Sequence, residues 1–155
     1  MKDKASALVT LEKEGEVSLV CLNDRDSFNS LSENLLKELF DTLKQADEDD
    51  STKVLVLRGS GRGFSAGHNL KEVQKNENES FYRELLNCSK KVMTFLPNLS
   101  KPVIAEVHGV ATAAGCQLVA ACDLAYADTN TRFATPGVNI GLFCHTPLVP
   151  VSRPI

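Results

Sequence analysis

Two periods of apolar spacing alternate along the chain. Short β-branched and apolar runs at Ala7-Leu-Val-Thr-Leu11 and Val17-Ser-Leu-Val-Cys-Leu22 flank Glu12-Lys-Glu-Gly-Glu16, whose glycine suits a turn, so this region predicts a hairpin. Ser32 then offers a helix N-cap. Beyond it, Leu35, Leu36, Leu39, Phe40 and Leu43 recur on one face and Lys37, Glu38, Asp41 and Lys44 fall on the other, which predicts an amphipathic helix. Lys53-Val-Leu-Val-Leu57 and Pro102-Val-Ile-Ala-Glu-Val107 are continuous apolar runs, as expected of strands covered on both faces. Between them, Phe81, Leu85, Cys88, Val92 and Phe95 mark a second helix over about residues 79–95, ended by Pro97 and Asn98. A short apolar helix over about 114–121 and a strand over 123–127 follow. Strand and helix alternate, so the class is α/β with a largely parallel sheet.

Composition narrows the function classes. A chain of 155 residues, 43% apolar and 24% charged, fits one ordinary globular domain and excludes intrinsic disorder. Net charge is −3 with both signs interspersed and the pI about 5.6, so no basic face is available for nucleic acid. The five cysteines, Cys21, Cys88, Cys116, Cys122 and Cys144, are scattered and never form C-x-x-C. That spacing argues against a disulfide framework or a metal site and points to a reducing compartment. Met1-Lys-Asp-Lys-Ala-Ser6 has no apolar signal region, and no stretch reaches the ~20 apolar residues of a membrane span.

Chemistry concentrates in two loops of small residues. Ala66-Gly-His-Asn-Leu70 is echoed by Ala114-Gly-Cys-Gln-Leu118, each after a buried strand and a glycine. Either copy alone could be a tight strand-to-helix turn. Two sets of unpaired helix-start N–H groups facing one cleft would instead bind an anionic oxygen. Gly63-Phe-Ser-Ala-Gly67 also satisfies G-x-S-x-G, which would make Ser65 a hydrolase nucleophile with Asp123 or Asp128 and His145 as partners, but too few strands precede it for that fold. Gly61-Arg-Gly-Phe-Ser-Ala66 fits the looser dinucleotide fingerprint, yet it does not follow a first strand, and the acids Glu77 and Glu79 lie at a helix start.

Taken together, residues 59–70, residues 102–118 and Cys122-Asp-Leu-Ala125 resemble the two signature segments of the crotonase (enoyl-CoA hydratase/isomerase) superfamily. Leu22-Asn23 with Asn29-Ser-Leu31, and the segment over residues 133–143, are similar to two further family segments. The resemblance implies a crotonase-like α/β spiral of strand-strand-helix units lacking its C-terminal helical portion. Residues 1–143 would form a partial acyl-CoA-binding domain, and 144–155 a Pro-rich tail. It implies an acyl-CoA thioester as ligand of fatty-acid metabolism, with coenzyme A entering only as part of that ligand and no permanently bound cofactor or metal. The thioester oxygen would sit between the backbone N–H groups of His68 and Ala114, an oxyanion hole. Ala66, His68, Asn69 and Leu70 would line the coenzyme A path, with Arg25 and Lys71 as the nearby cations.

Departures from the family carry as much information. The two hydratase glutamates of the family correspond here to Gln117 and Gly137. Glutamine offers a polar contact, to a ligand or to neighbouring backbone, but exchanges no proton, and glycine offers nothing, so hydration is expected to be lost. One alternative is a coenzyme A thioester decarboxylase or lyase using the oxyanion hole and the His68 imidazole; another is a silent regulatory module. His108, at a strand end, is expected to be structural. Family members assemble as trimers, so a homotrimer or a hetero-assembly with a full-length relative is expected, in mitochondria by resemblance or else in the cytoplasm. Pro147, Pro150 and Pro154 oppose a continuous helix at the end of the chain, and exposed apolar surface is expected there.

Overall fold

A computed structural model describes residues 7–152, so the Met1–Ser6 reading and Pro154 lie outside the described residues. In chain order the elements are β1 (Val9–Glu14), β2 (Val17–Leu22), α1 (Glu33–Glu48), β3 (Val54–Gly59), α2 (Leu70–Lys75), α3 (Glu79–Phe95), β4 (Val103–Val107), β5 (Val110–Thr112), α4 (Ala114–Ala120), β6 (Leu124–Ala127), β7 (Arg132–Ala134) and α5 (His145–Val151). The larger sheet runs β1-β2-β3-β4-β6, antiparallel only at the β1-β2 hairpin.

The smaller sheet explains the internal echo. β5 pairs in parallel with β7, Ser65 forms an isolated parallel bridge to Ala111, and Leu31 forms another to His68. After β2, β3, β4 and β6 in turn, the chain therefore crosses to a second ladder before entering a helix. This repeat is the strand-strand-helix spiral. It is built from residues too few at each crossing (Leu31, Ser65, Val110–Thr112, Arg132–Ala134) to show a period of their own.

Burial follows the sequence pattern. Ser32 caps α1 by accepting the Leu35 N–H at 3.2 Å, and Leu35, Leu36, Leu39 and Leu43 pack fully buried against sheet residues such as Leu22, Leu55 and Leu57. α3 spans the expected residues and sets Leu85, Val92 and Met93 into the same core, with the Phe95 ring 4.8 Å from that of Phe40. The end of α1 carries no basic residue of its own, and Lys101 supplies one. Its Nζ donates to the carbonyls of Ala46, Asp47 and Asp49 at 3.2, 2.5 and 2.6 Å.

The Pro-rich tail differs from expectation, since His145–Val151 is helical. Pro147 occupies the first turn, where an N–H has no intrahelical acceptor, so only Pro150 removes a hydrogen bond. The expected apolar exposure is present. Leu124, Phe133, Val138 and Ile140 are exposed, as are Tyr126 at 69% and Phe143 at 70%. Among the described residues no helix is long and apolar enough to cross a membrane.

Replacing Lys101 by Met is expected to lower stability by about 1–2 kcal/mol, the worth of charge-assisted bonds to a helix C-terminus, read as a lower urea midpoint.

Candidate functional site

The site grows out of the contact between the loop after β3 and the β5-to-α4 turn. Ser65 donates its N–H to the Val110 carbonyl at 3.1 Å and accepts the Thr112 N–H at 3.0 Å, and the Thr112 hydroxyl donates to the Ala66 carbonyl at 3.0 Å. Two glycines let these backbones touch. A Cβ at Gly115 would lie 2.4 Å from the Ser65 carbonyl oxygen, and one at Gly67 (φ +85°) 2.8 Å from that of Thr112 and 3.1 Å from the Ala114 nitrogen. Gly67 and Ala114 are thus brought side by side, as the echo between the two segments suggested.

Two backbone donors are free there. Among the described residues neither the His68 nor the Ala114 N–H has an acceptor. The Gly67 carbonyl accepts the Leu31 N–H at 2.8 Å, and because the peptide is planar and trans, the His68 N–H points to the opposite side. The Ala113 carbonyl accepts the Gln117 N–H at 3.1 Å along α4, so the Ala114 N–H points back out of the helix start. Ala113 holds this turn at φ 51° and ψ −120°, tied by its N–H to the Ala134 carbonyl at 2.8 Å. For a residue other than glycine that conformation stores about 1–3 kcal/mol of strain. Two adjacent unpaired donors can hold one oxygen that carries or gains negative charge.

The hydrolase reading of Ser65 fails on the same geometry. Ser65 is fully buried and its hydroxyl is spent on the Asn29 carbonyl at 2.9 Å. The strained strand-to-helix turn sits at Ala113, which offers no nucleophile. His145 contacts the Phe143 carbonyl at 3.3 Å rather than a serine, and His108 bonds the Gly61 carbonyl at 3.0 Å, in keeping with a structural role. Burial pushes the thiols of Cys116 and Cys122 up, the latter to about 12. Among the described residues no group of three His, Cys, Asp or Glu could hold a metal.

Around the donors, Ala66 and Leu70 are exposed, while the Asn69 side chain is committed to capping α2 by accepting the Glu72 N–H at 3.1 Å. The His68 ring is half-buried with Nδ1 enclosed and without a partner among the described residues, and burial holds its pKa below the ordinary 6.5, opposed by the Leu31 backbone. One turn along α4 from Ala114, Gln117 makes no side-chain hydrogen bond among the described residues. It lines a cleft of about 620 Å³ with Met93, Pro97, Ala120, Thr146, Val149 and Pro150. Gly137 is buried in a 3₁₀ turn, where a Cβ would lie 2.6 Å from both the Leu142 carbonyl oxygen and the Cys144 sulfur, so no acidic side chain fits as the turn stands.

Two features were not anticipated from the sequence. The Arg62 guanidinium stacks 4.4 Å over the Phe28 ring, and Phe28 accepts the Ala66 N–H at 3.0 Å, which brings a cation to the exposed edge of the loop near Arg25. Asn29, fully buried at φ 52°, donates its amide to the carbonyls of Ser60, Gly63 and Phe64 at 2.9–3.1 Å and accepts the Asp24 N–H. Asparagine tolerance of positive φ was the only local signal for the second; none marked the first.

Comparison with known proteins gives the family and the fold. Residues 12–151 match the profile of the enoyl-CoA hydratase/isomerase family. Enoyl-CoA hydratase domain-containing protein 3, mitochondrial, of Xenopus laevis is 43% identical over 148 residues, covering 96% of this chain and 50% of the relative. The crystal structure of the human enoyl coenzyme A hydratase domain-containing protein 3 superposes with a TM-score of 0.90 at 39% identity, over 94% of this chain and 58% of that one. A Mycobacterium smegmatis enoyl-CoA hydratase superposes equally well, TM-score 0.90 at 45% identity, over 94% and 57%. The chain thus spans about half the length of the curated relatives it matches. Residues 111–120 and 133–143, which resemble the domain-containing protein 3 in sequence, carry the second donor and the Gly137 turn.

A pH experiment tests the placement of His68. The unfolded imidazole takes its proton near pH 6.5 and the folded one only at lower pH, so the stability that depends on a neutral ring is lost as pH falls through that window. Between about pH 7.5 and 5, the urea midpoint of the wild type is expected to fall more than that of His68→Gln; parallel profiles would contradict it.

Proposed function

Since the chain belongs to the enoyl-CoA hydratase/isomerase family, we propose that it is an acyl-CoA thioester-binding protein that seats the thioester oxygen on the N–H groups of His68 and Ala114. The observation that carries this reading is the pair of adjacent backbone donors without acceptors among the described residues. A thioester carbonyl gains negative charge on oxygen when polarised toward an enolate, and each preorganised donor in a water-poor site is worth about 3 kcal/mol. The acyl group would run from there past Gln117 into the cleft toward α5. The coenzyme A moiety would leave over Ala66 and Leu70, with the phosphates near Arg62 and Arg25 and a lesser part for Asn69, whose side chain is already engaged. Coenzyme A enters as part of the ligand.

Hydration is not part of the proposal. Gln117 cannot exchange a proton, and Gly137 has neither a side chain nor room for one. Each missing acid-base group removes about 10²–10⁴ in rate. The decarboxylase or lyase reading needs a proton from the His68 imidazole. Burial that lowers the proton affinity of the ring, with Nδ1 enclosed, leaves less of the protonated form to donate, which weighs against that role. The exposed apolar residues from Leu124 to Phe143 favour assembly, with copies of this chain or with a longer family member, and the mitochondrial names of the relatives favour that compartment.

Calorimetry with butyryl-CoA is expected to show saturable heat that free coenzyme A does not reproduce in full, and no heat at millimolar ligand would overturn the reading. Crotonyl-CoA should bind without loss of its enoyl absorbance; turnover would show that a proton-transfer group has been overlooked. Arg62→Ala should weaken butyryl-CoA binding roughly fivefold, the scale of one exposed charge contact, and less so at high salt.

A further inference from the structure

The donor at His68 follows a glycine, and that poses a problem of direction. Glycine populates backbone conformations on both sides of φ = 0 almost equally, so sterics alone leave the peptide between Gly67 and His68 free to turn. Something else must hold it. The peptide before Gly67 is held on its carbonyl side by the Thr112 hydroxyl at 3.0 Å and on its N–H side by the Ser65 hydroxyl, which accepts the Gly67 N–H at 3.3 Å. The peptide after it is fixed by the Leu31 N–H on the Gly67 carbonyl at 2.8 Å. The Ser65 hydroxyl is in turn oriented because its proton goes to the Asn29 carbonyl at 2.9 Å.

Asn29 is anchored at both ends of its side chain. It is fully buried, and its side chain closes on the Asp24 N–H and on three carbonyls of the loop over residues 60–64. Ser65 is also fully buried and is pinned by its own N–H and C=O to Val110 and Thr112, the strand that leads to the second donor. One hydroxyl therefore lies between the Asn29 anchor, the strand before Ala114 and the peptide that enters Gly67, the residue whose turn sets the direction of the His68 N–H.

We propose that Ser65 is a positioning residue, whose hydroxyl relays the Asn29 anchor to the Gly67 N–H and so aims the His68 N–H at the ligand carbonyl. This rests on the thioester reading above. The proton of the hydroxyl stays on Ser65 throughout, and no bond to ligand is made. Removing the hydroxyl releases the N–H side of Gly67, so that on that residue only the Leu31 bond to its carbonyl still holds the His68 peptide, and it leaves binding to the Ala114 donor and the rest of the ligand contacts. The loss falls on carbonyl polarisation more than on affinity.

The test is isotope-edited infrared spectroscopy of butyryl-CoA labelled with ¹³C at the thioester carbonyl, bound to the 155-residue chain. Wild type is expected to shift the carbonyl band to lower frequency; bound ligand with an unshifted band overturns the thioester reading itself. Ser65→Ala is expected to melt cooperatively and bind butyryl-CoA, with part of the band shift lost and the band broadened. A Ser65→Ala protein that is less stable or binds more weakly, yet shifts the bound carbonyl as far as wild type, overturns the relay and leaves the thioester reading intact. Should Ser65→Ala not fold, Ser65→Cys, which keeps a weaker acceptor at the same point, must give a shift smaller than wild type, and an equal shift overturns the relay.

Discussion

Everything in this molecule depends on how closely two backbones approach, the one leaving β3 and the one leaving β4. The Ser65 peptide groups join Val110 and Thr112 at 3.0–3.1 Å, and the missing Cβ atoms of Gly67 and Gly115 remove the clashes that would push the strands apart. From that contact follow the crossing of each strand into the second ladder, the strained turn at Ala113 and the juxtaposition of two free N–H groups. The large sheet and the leucine face of α1 supply the burial that sustains the strain, about 1–3 kcal/mol at one residue against a core of fully buried leucines each worth about 1.5–3 kcal/mol.

The main sheet, α1, α3 and the two donor loops could be read from the sequence, because long apolar runs and a 3.6-residue period report burial directly. Resemblance to the crotonase superfamily supplied the spiral and the donor residues, and the family match bears out the former. What escaped was short or non-local. β5 and β7 are three residues each, and Arg62 meets Phe28 only through the fold. The helix at α5 forms despite its prolines because Pro147 stands in the first turn, where no N–H is needed. Ser65 was legible as part of a motif but not as a buried spacer, since the pattern G-x-S-x-G carries no information about burial.

Gln117 and Gly137 give the site its character. Gln117 faces the cleft with an amide that makes no bond within the described residues, while Gly137 sits in a turn already filled by Leu142 and Cys144. The turn is thus shaped around the absence of a side chain. The apolar residues of β6, β7 and the turn beyond them remain uncovered in this chain, which spans about half the length of its curated relatives.

Amide-resolved NMR during titration with butyryl-CoA tests the central claim most directly. If the His68 and Ala114 N–H groups hold the thioester oxygen, their two amide protons move downfield together as ligand saturates, the hallmark of new hydrogen bonds, and both are displaced less by free coenzyme A. Saturable binding that leaves these two amides in place, while others shift, would contradict the account.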